Sequence, residues 1–127
     1  MHSINAVNLV GSGNVAWVLG AALKESGILI NAVIARNKDK AEALARLLDS
    51  QALTFEDKLP EADLILLTVS DDSIQQVSER LAKQTSIESL IAHTSGSKPT
   101  TLLSPFNRQA SFYPLQTMTK GNTVDFN

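Results

Sequence analysis

The sequence predicts an α/β domain: a doubly wound, mainly parallel sheet of about six strands with helices on both faces. Apolar runs of strand length alternate with segments of helical period, which is the pattern of repeated strand–helix–strand units. The densest run, residues 63–69, is nearly all apolar rather than alternating, as expected of a strand that helices cover on both sides. The 127 residues suffice for one domain with its own core.

The first unit is predicted to be a strand at residues 7–10 followed by a helix over residues 14–25. Apolar residues recur along this helix at the spacing of one face, which allows one stripe to pack on the sheet. Gly27 follows in the position that favours a left-handed cap, so we expect the helix to end just before it. The predicted stripe consists of Val15, Leu19, Ala22 and Leu23.

The second unit has a strand at residues 31–35 and a helix that either Asn37 or Asp39 can cap. A short third strand at residues 52–55 precedes the buried fourth strand. The sequence therefore predicts two successive strand–helix units before the centre of the chain. The residues that the second helix is expected to bury are Ala41, Leu44, Ala45 and Leu48.

After the fourth strand, Ser73 and Gln76 have the spacing of a capping box at the start of a third helix. A fifth strand at residues 90–92, a helical turn at 100–103 and a sixth strand at 110–113 complete the prediction. No repeat, low-complexity tract or interdomain linker interrupts this order, so residues 1–127 are predicted to form one domain. The apolar positions of the third helix are Ile74, Val77 and Leu81.

The composition excludes several classes of function. A formal net charge of −2 lacks the basic excess that nucleic-acid binding requires. The absence of cysteine excludes disulfides, zinc–thiolate sites and thiol nucleophiles. No apolar stretch approaches the roughly 20 residues of a membrane span, and the amino terminus lacks the pattern of a signal peptide. We therefore expect a cytoplasmic domain without nucleic-acid or membrane partners.

A glycine-containing turn joins the first strand to the first helix, where residues 11–16 have the form G-x-G-x-x-A. In this form the first glycine permits a tight turn, the second lets a pyrophosphate approach the backbone, and a small last residue lets the helix lie close to the strand. The anion then lies against free N–H groups at the positive end of the helix dipole. Because the motif follows an apolar strand and opens an amphipathic helix, it favours a dinucleotide site over a turn that binds nothing. The predicted contacts are Gly11, Ser12, Gly13, Asn14 and Val15.

The end of the second strand indicates which dinucleotide fits. An NAD site has an acidic residue about 20 positions after the motif, which bonds the ribose 2′-hydroxyl. Here that position is Arg36, and Arg36, Asn37 and Lys38 offer two cations and an amide instead of a carboxylate. A guanidinium suits a 2′-phosphate, so these residues predict NADP and argue against S-adenosylmethionine. The alternative interpretation of the two cations is a solvated start of a helix.

Polar residues also follow the fourth strand. Ligands of open α/β sheets lie at the carboxyl ends of the strands, so Val69, Ser70 and Asp71 are predicted to border the adenosine or the pyrophosphate. Asp71 and Asp72 could form a metal pair, but neighbouring acids before a helix are more simply caps and dipole partners. We therefore expect no metal site.

The residues after the fifth strand, His93-Thr94-Ser95-Gly96-Ser97, are the candidates for chemistry. Ser95 could bond a substrate carbonyl or carboxylate and His93 could shuttle a proton, with Thr94 against the cofactor. Alternatively, the hydroxyls cap the turn before Pro99 and His93 is a hydrogen-bonded core residue. Both interpretations stay open, but a Ser-His-Asp hydrolase is excluded because no G-x-S-x-G elbow surrounds Ser95.

Four segments carry a family resemblance when they are taken in order along the chain: residues 11–16, 62–74, 93–97 and 112–117. Together they resemble bacterial Rossmann-like proteins assigned as NADP oxidoreductases, whose carboxyl-terminal half is a domain of unknown function. The amino-terminal fold is similar to that of pyrroline-5-carboxylate reductase, prephenate dehydrogenase and the β-hydroxyacid dehydrogenases. The resemblance implies the NADP-binding domain of an oxidoreductase that acts on a small polar metabolite.

The resemblance also implies a helical second domain after Asn127, which completes the substrate pocket and forms a homodimer. In the β-hydroxyacid dehydrogenases the catalytic lysine lies on that domain, so we expect this chain alone to bind cofactor without turnover. A serine after the fifth strand helps to bind substrate in those enzymes, and Ser95 is the nearest match. Prephenate dehydrogenases have a His-Pro pair in the place of Tyr113-Pro114, and the tyrosine departs from that chemistry.

Two other functions stay open on the sequence alone. One is a dinucleotide sensor or binding module that uses the same cleft without catalysis, because a fold does not determine a function. The other is a reductase that uses a deazaflavin on a related fold. Arg36 favours NADP over the deazaflavin because its guanidinium would match the 2′-phosphate.

Overall fold

The computed structural model describes residues 4–95 and 98–111, in which six strands alternate with three helices and two short 3₁₀ turns. None of these helices is long and apolar enough to cross a membrane. The elements in chain order are β1 (Ala6–Val10), α1 (Asn14–Glu25), β2 (Leu29–Ile34), α2 (Lys38–Leu47), β3 (Ala52–Leu53), β4 (Leu64–Leu67), α3 (Ile74–Ala82), β5 (Leu90–His93) and β6 (Arg108–Ser111), with the 3₁₀ turns at Asp71–Ser73 and Thr100–Leu103.

The six strands form one sheet in the order β3-β2-β1-β4-β5-β6, and all of their pairings are parallel. This confirms the predicted doubly wound α/β architecture. The chain winds outward from β1 to β3 and then returns to the other side of β1 to form β4. In such sheets the carboxyl ends of the strands share one edge, and a crevice opens where the direction of winding reverses. That point lies here between β1 and β4.

Apolar residues fill both faces of the sheet, as the predicted helix stripes require. The stripes of α2 and α3 are confirmed, because every residue predicted in them is buried. In α1, Leu19 and Leu23 are buried as predicted, but Val15 and Ala22 are only half-buried. The small residues Ala16 and Gly20 hold the positions nearest the sheet instead. Small residues allow this helix to approach the strands more closely than a stripe of large residues would.

The bounds of all six strands differ from the prediction by one or two residues. β1 begins one residue earlier, β4 is shorter at both ends and β5 ends one residue later than predicted. β2 begins two residues earlier, because the Leu29 N–H donates to the Asn5 carbonyl at 2.9 Å and extends the pairing with β1. β3 is shorter than predicted. β6 begins at Arg108, which lies opposite Leu90 of β5. Its first residues are polar and its outer edge is free in the described sheet, so the sequence shows no apolar pattern at its start. Residues 112 and 113, which were also predicted in this strand, lie outside the described part of the chain.

Helix capping follows the prediction at α2 but not at α3. The Asn37 side chain accepts the Lys40 N–H at 3.2 Å, so Asn37 rather than Asp39 is the cap of α2. The capping box of Ser73 and Gln76 was wrong, because the Ser73 side chain makes no capping bond. Ser73 has a helical backbone because it is the last residue of a 3₁₀ turn, whereas a capping residue needs an extended one. The Ser73 hydroxyl lies 3.1 Å from that of Ser70 instead.

Two glycines adopt backbone angles that L-residues rarely adopt. Gly27, with φ +86°, ends α1 as predicted, and a Cβ there would meet no atom within 4 Å. Gly11, with φ +121°, has no such space, because a Cβ would lie 2.2 Å from the Thr68 Oγ1. That hydroxyl cannot move freely, since it donates to the Val10 carbonyl at 2.8 Å. Gly11 is therefore constrained both by its backbone and by its neighbour.

Replacing each glycine by alanine separates these two constraints. Gly27→Ala should lower the free energy of unfolding by about 1–2 kcal/mol, the cost of a left-handed non-glycine residue. Gly11→Ala should cost roughly 1–3 kcal/mol more, because it adds overpacking against Thr68 to the same backbone strain. Urea unfolding followed by circular dichroism measures both values. Equal losses for the two variants would show that the Thr68 contact does not limit position 11.

Candidate functional site

A cleft of about 340 Å³ lies at the carboxyl ends of β1, β2 and β4, where the winding of the sheet reverses. Two hydrogen bonds hold these strand ends together: the Gly11 N–H donates to the Ile34 carbonyl, and the Thr68 N–H donates to the Val10 carbonyl, both at 2.8 Å. The residues that line the cleft are Gly11, Ser12, Gly13, Ile34, Ala35, Arg36, Asn37, Lys40, Phe55, Thr68, Val69, Ser70, Ser73 and Val77.

The turn after β1 presents an uncovered helix end to this cleft. Gly13 is the residue before α1, and no side chain caps the first turn of that helix. A Cβ on Gly13 would meet no atom within 4 Å, so this position opens onto free space. Ala16 is fully buried, as the close approach of helix and strand requires. The first-turn amides and the positive end of the dipole are thus available to an anion.

At the end of β2, Arg36 and Asn37, which the sequence put forward as cofactor contacts, line the cleft, and the second cation in the lining is Lys40 rather than Lys38. Lys40 is the third residue of α2, and its N–H donates to the side chain of the capping residue Asn37. The sequence analysis considered only the consecutive residues 36–38 and did not include Lys40.

Lys38 instead acts electrostatically on the turn at residues 54–57. The Thr54 backbone N–H, which donates to the Asp57 carboxylate at 2.7 Å, holds the pKa of Asp57 below its usual value. The positive charge of Lys38 lowers that pKa further. Lys38 is therefore part of the electrostatic environment of Asp57, and it does not line the cleft.

At the end of β4, Val69 and Ser70, which were expected to border the ligand, line the cleft together with Thr68 and Ser73. Asp71 does not line it, and neither do Asn14 and Val15 of α1. Two apolar residues that the sequence did not suggest, Phe55 after β3 and Val77 of α3, complete one wall. Phe55 lies at the start of the connection from β3 to β4, and Val77 lies on the helix that connects β4 to β5, so only the tertiary fold brings them to the cleft.

The residues after β5 lie outside the cleft and are tied to the surrounding chain. His93 is fully buried; its Nδ1 accepts the Ser95 N–H, and its Nε2 lies 3.2 Å from the Pro99 carbonyl. The Ser95 hydroxyl accepts the Lys98 N–H, and the Thr94 hydroxyl donates to the Leu67 carbonyl, both at 3.2 Å. This geometry supports the structural interpretation of the motif, in which hydroxyls and imidazole build a turn. Catalytic roles for His93 and Ser95 and a cofactor contact from Thr94 stay predictions.

Two other parts of the molecule bear on the choice of site. A wider depression of about 670 Å³ lies at the amino ends of β4 and β5, lined by residues 58–62, 83–86, 88 and 89. Ligands of open α/β sheets bind at the opposite edge, so we assign the candidate site to the smaller cleft. In the described residues, no group of three His, Asp or Glu side chains could hold a metal ion.

Solved structures share this fold. One is a crystal structure of the "putative NADP oxidoreductase" BF3122 from Bacteroides fragilis, which is 28% identical to this chain. The two structures match with a TM-score of 0.80, and the match covers 98% of this chain and 48% of the Bacteroides chain. Prephenate dehydrogenase from A. aeolicus, in complex with hydroxyphenyl propionate and NAD+, is 16% identical, with a TM-score of 0.69 over 83% of this chain and 40% of its own. For 3-hydroxybutyryl-CoA dehydrogenase from Escherichia coli, also 16% identical, the TM-score is 0.69 over 87% of this chain and 29% of its own.

This chain thus spans about half the length of the Bacteroides protein and less than half the length of the other two. No curated protein matches its sequence. Residues 2–117 match the family model of the Rossmann-like domain, which agrees with the resemblance seen in the sequence. The chain belongs to the Rossmann-like domain family.

Proposed function

We propose that this chain binds NADP and is the dinucleotide-binding domain of an oxidoreductase that acts on a small polar metabolite. The observation that carries the proposal is the cleft itself, which joins the uncapped glycine turn of α1 to the cations Arg36 and Lys40 at the end of β2. The name of the 28% identical Bacteroides protein, an NADP oxidoreductase, supports the same function.

The pyrophosphate would lie on the turn after β1. Gly13 leaves open space in front of the backbone, and the first turn of α1 has no side-chain cap and no acidic residue. A diphosphate placed there accepts bonds from the first-turn amides and benefits from the helix dipole. The side of the cleft formed by Phe55, Val69 and Val77 is apolar and suits the adenine base.

The 2′-phosphate would lie between the Arg36 guanidinium and the Lys40 ammonium, beside the amide of Asn37. A guanidinium binds a phosphate through two parallel hydrogen bonds, and an ammonium adds a point charge. Among residues 4–95 and 98–111, no carboxylate lines the cleft to bond a free 2′-hydroxyl. The lining therefore favours NADP over NAD.

The start of α2 supports an anion in this place for a separate reason. Its first turn holds Lys38 and Lys40 against a single acid, Asp39, although cations at the positive end of a helix are destabilising. Such a local cost is typical of a binding site rather than of a solvated helix start. A bound phosphate would offset it.

A second candidate function, a dinucleotide-binding module without catalysis, is favoured by one observation. Both ring nitrogens of His93 and the hydroxyl of Ser95 have hydrogen-bond partners within the chain. A side chain that builds a turn in this way does not present a free donor or acceptor to a substrate. Turnover of a substrate by a protein that contains this domain would exclude this candidate.

The loss of stability caused by Lys38 and Lys40 at the start of α2 can be measured without any cofactor. Lys40→Gln should raise the free energy of unfolding by about 0.3–1 kcal/mol at low salt, because it removes a cation from the positive end of α2. Arg46→Gln is the matched control, since Arg46 lies in the last turn of α2, where a cation is favourable. This variant should lower the free energy of unfolding by a similar amount. Lysine, arginine and glutamine have nearly equal helix propensities, so the opposite signs isolate the dipole. Urea unfolding that shows a loss of stability in both variants would contradict this explanation.

The choice of cofactor can be tested by calorimetric titration. NADPH should bind at least several-fold more tightly than NADH, and Arg36→Ala should remove most of that difference, a loss of roughly 1.5–3 kcal/mol for a charge-assisted contact. Lys40→Ala should remove a smaller part of it, because an ammonium binds phosphate as a point charge. Lys38→Ala is the control and should leave the ratio unchanged, since Lys38 does not line the cleft. Equal affinities of the parent protein for the two cofactors would rule out the NADP assignment.

The position of the pyrophosphate can be tested at Gly13. Gly13→Val should leave the domain folded, because a Cβ there would meet no atom of the described residues within 4 Å. It should abolish dinucleotide binding, because the side chain would occupy the place of the pyrophosphate. Circular dichroism of the variant controls for its fold beside the calorimetric titration. A folded variant with normal affinity would place the pyrophosphate elsewhere.

A further inference from the structure

The order of the strands indicates where the second half of the dinucleotide lies. The candidate subsites for the 2′-phosphate and the pyrophosphate follow β2 and β1, and the sheet continues from β1 through β4 to β5. Neighbouring strands are about 4.8 Å apart, so the end of β5 lies roughly 14 Å from the end of β2. A dinucleotide that starts at Arg36 and crosses the glycine turn would extend over β4, and its nicotinamide half would reach the residues after β5.

Those residues, Thr94, Ser95, Lys98 and Pro99, are here called the β5 turn. Their backbone and hydroxyl groups are tied to neighbouring strands and to one another. The Thr94 hydroxyl bonds the end of β4, the Ser95 hydroxyl accepts the Lys98 N–H, and the Ser111 hydroxyl of β6 donates to the Ser95 carbonyl at 3.4 Å. These bonds connect Thr94, Ser95 and Lys98 to one another and to the neighbouring strands.

His93 supplies the two bonds that connect the ends of this turn. Its Nδ1 accepts the Ser95 N–H at 3.2 Å, so it carries no proton, and its Nε2 is 3.2 Å from the Pro99 carbonyl, which can only accept. The two bonds fit the tautomer with its proton on Nε2. The ring is fully buried, so both bonds are shielded from solvent in the parent protein.

We propose that His93 is a positioning residue for the nicotinamide end of the cofactor. It fixes the β5 turn, and the turn, through Thr94 and Ser95, forms the surface on which the nicotinamide half lies. His93 itself does not touch the cofactor and transfers no proton. The inference rests on the proposed function, because it requires that a dinucleotide occupies the cleft.

Three variants separate the two bonds of the imidazole. His93→Asn places an amide oxygen near the position of Nδ1 and can keep the bond to Ser95. His93→Gln places an amide nitrogen near the position of Nε2 and can keep the bond to Pro99. His93→Ala removes both bonds. Two probes separate the two halves of the ligand, because NADP+ carries the nicotinamide half whereas 2′,5′-ADP lacks it.

We expect the parent protein to bind both probes. His93→Gln and His93→Ala should bind NADP+ about two- to tenfold more weakly, the effect of one or two lost hydrogen bonds, with 2′,5′-ADP affinity unchanged. His93→Asn should keep most of the NADP+ affinity, because it keeps the anchor on Ser95. Saturation-transfer NMR on bound NADP+ should show a loss at the nicotinamide protons relative to the adenine H8 in the weakened variants, a change that mere loss of stability does not produce.

Failure of the proposed function and failure of the inference about His93 give different results. A parent protein that binds neither probe would overturn the proposed function, and the inference with it. Folded His93→Gln and His93→Asn variants that both bind NADP+ like the parent, with unchanged saturation transfer, would overturn the inference alone. Parallel loss of both probes in all three variants would also overturn it, because His93 would then support only the fold.

Discussion

The close approach of the turn after β1 to the end of β4 is the constraint on which the site depends. The Gly11 N–H bonds to β2, the Thr68 N–H bonds back to β1, and the Thr68 hydroxyl bonds to the same Val10 carbonyl. These contacts leave no room for a side chain at position 11, where a Cβ would lie 2.2 Å from the Thr68 oxygen. Because three strand ends converge there, the helix end of α1, the cations after β2 and the hydroxyls after β4 all face one cleft.

The stability of the domain comes from elsewhere in the molecule. Fully buried residues on both faces of the sheet, among them Leu9, Leu19, Leu44 and Leu81, pack the helices onto the strands. This packing lets the edge of the sheet keep features that cost stability, such as an uncapped first turn in α1 and two lysines at the start of α2. The edge that would bind a charged ligand is therefore the part of the domain that is least optimised for the unliganded state.

The fold could be predicted because local patterns determine it: apolar runs, helix stripes and the glycine turn all agree. The glycine turn and the charges after β2 could be predicted for the same reason, since each lies within one short segment. Lys40 was missed because its place in the lining depends on where α2 begins, and Phe55 and Val77 were missed because two different connections between strands bring them to the cleft. The capping box failed at Ser73 because Ser73 belongs to a 3₁₀ turn and has a helical backbone. The alternatives for His93 could not be separated until its two backbone partners were known.

The proposed function requires one dinucleotide to cross the carboxyl edge of the sheet. Titration of ¹⁵N-labelled protein with NADP+ is the most direct test, because the amide shifts locate the ligand residue by residue. The largest changes are expected at residues 11–14, 36–40 and 68–70, which belong to or adjoin the cleft lining. Changes concentrated at residues 58–62 and 83–89, around the depression at the amino ends of β4 and β5, would contradict it.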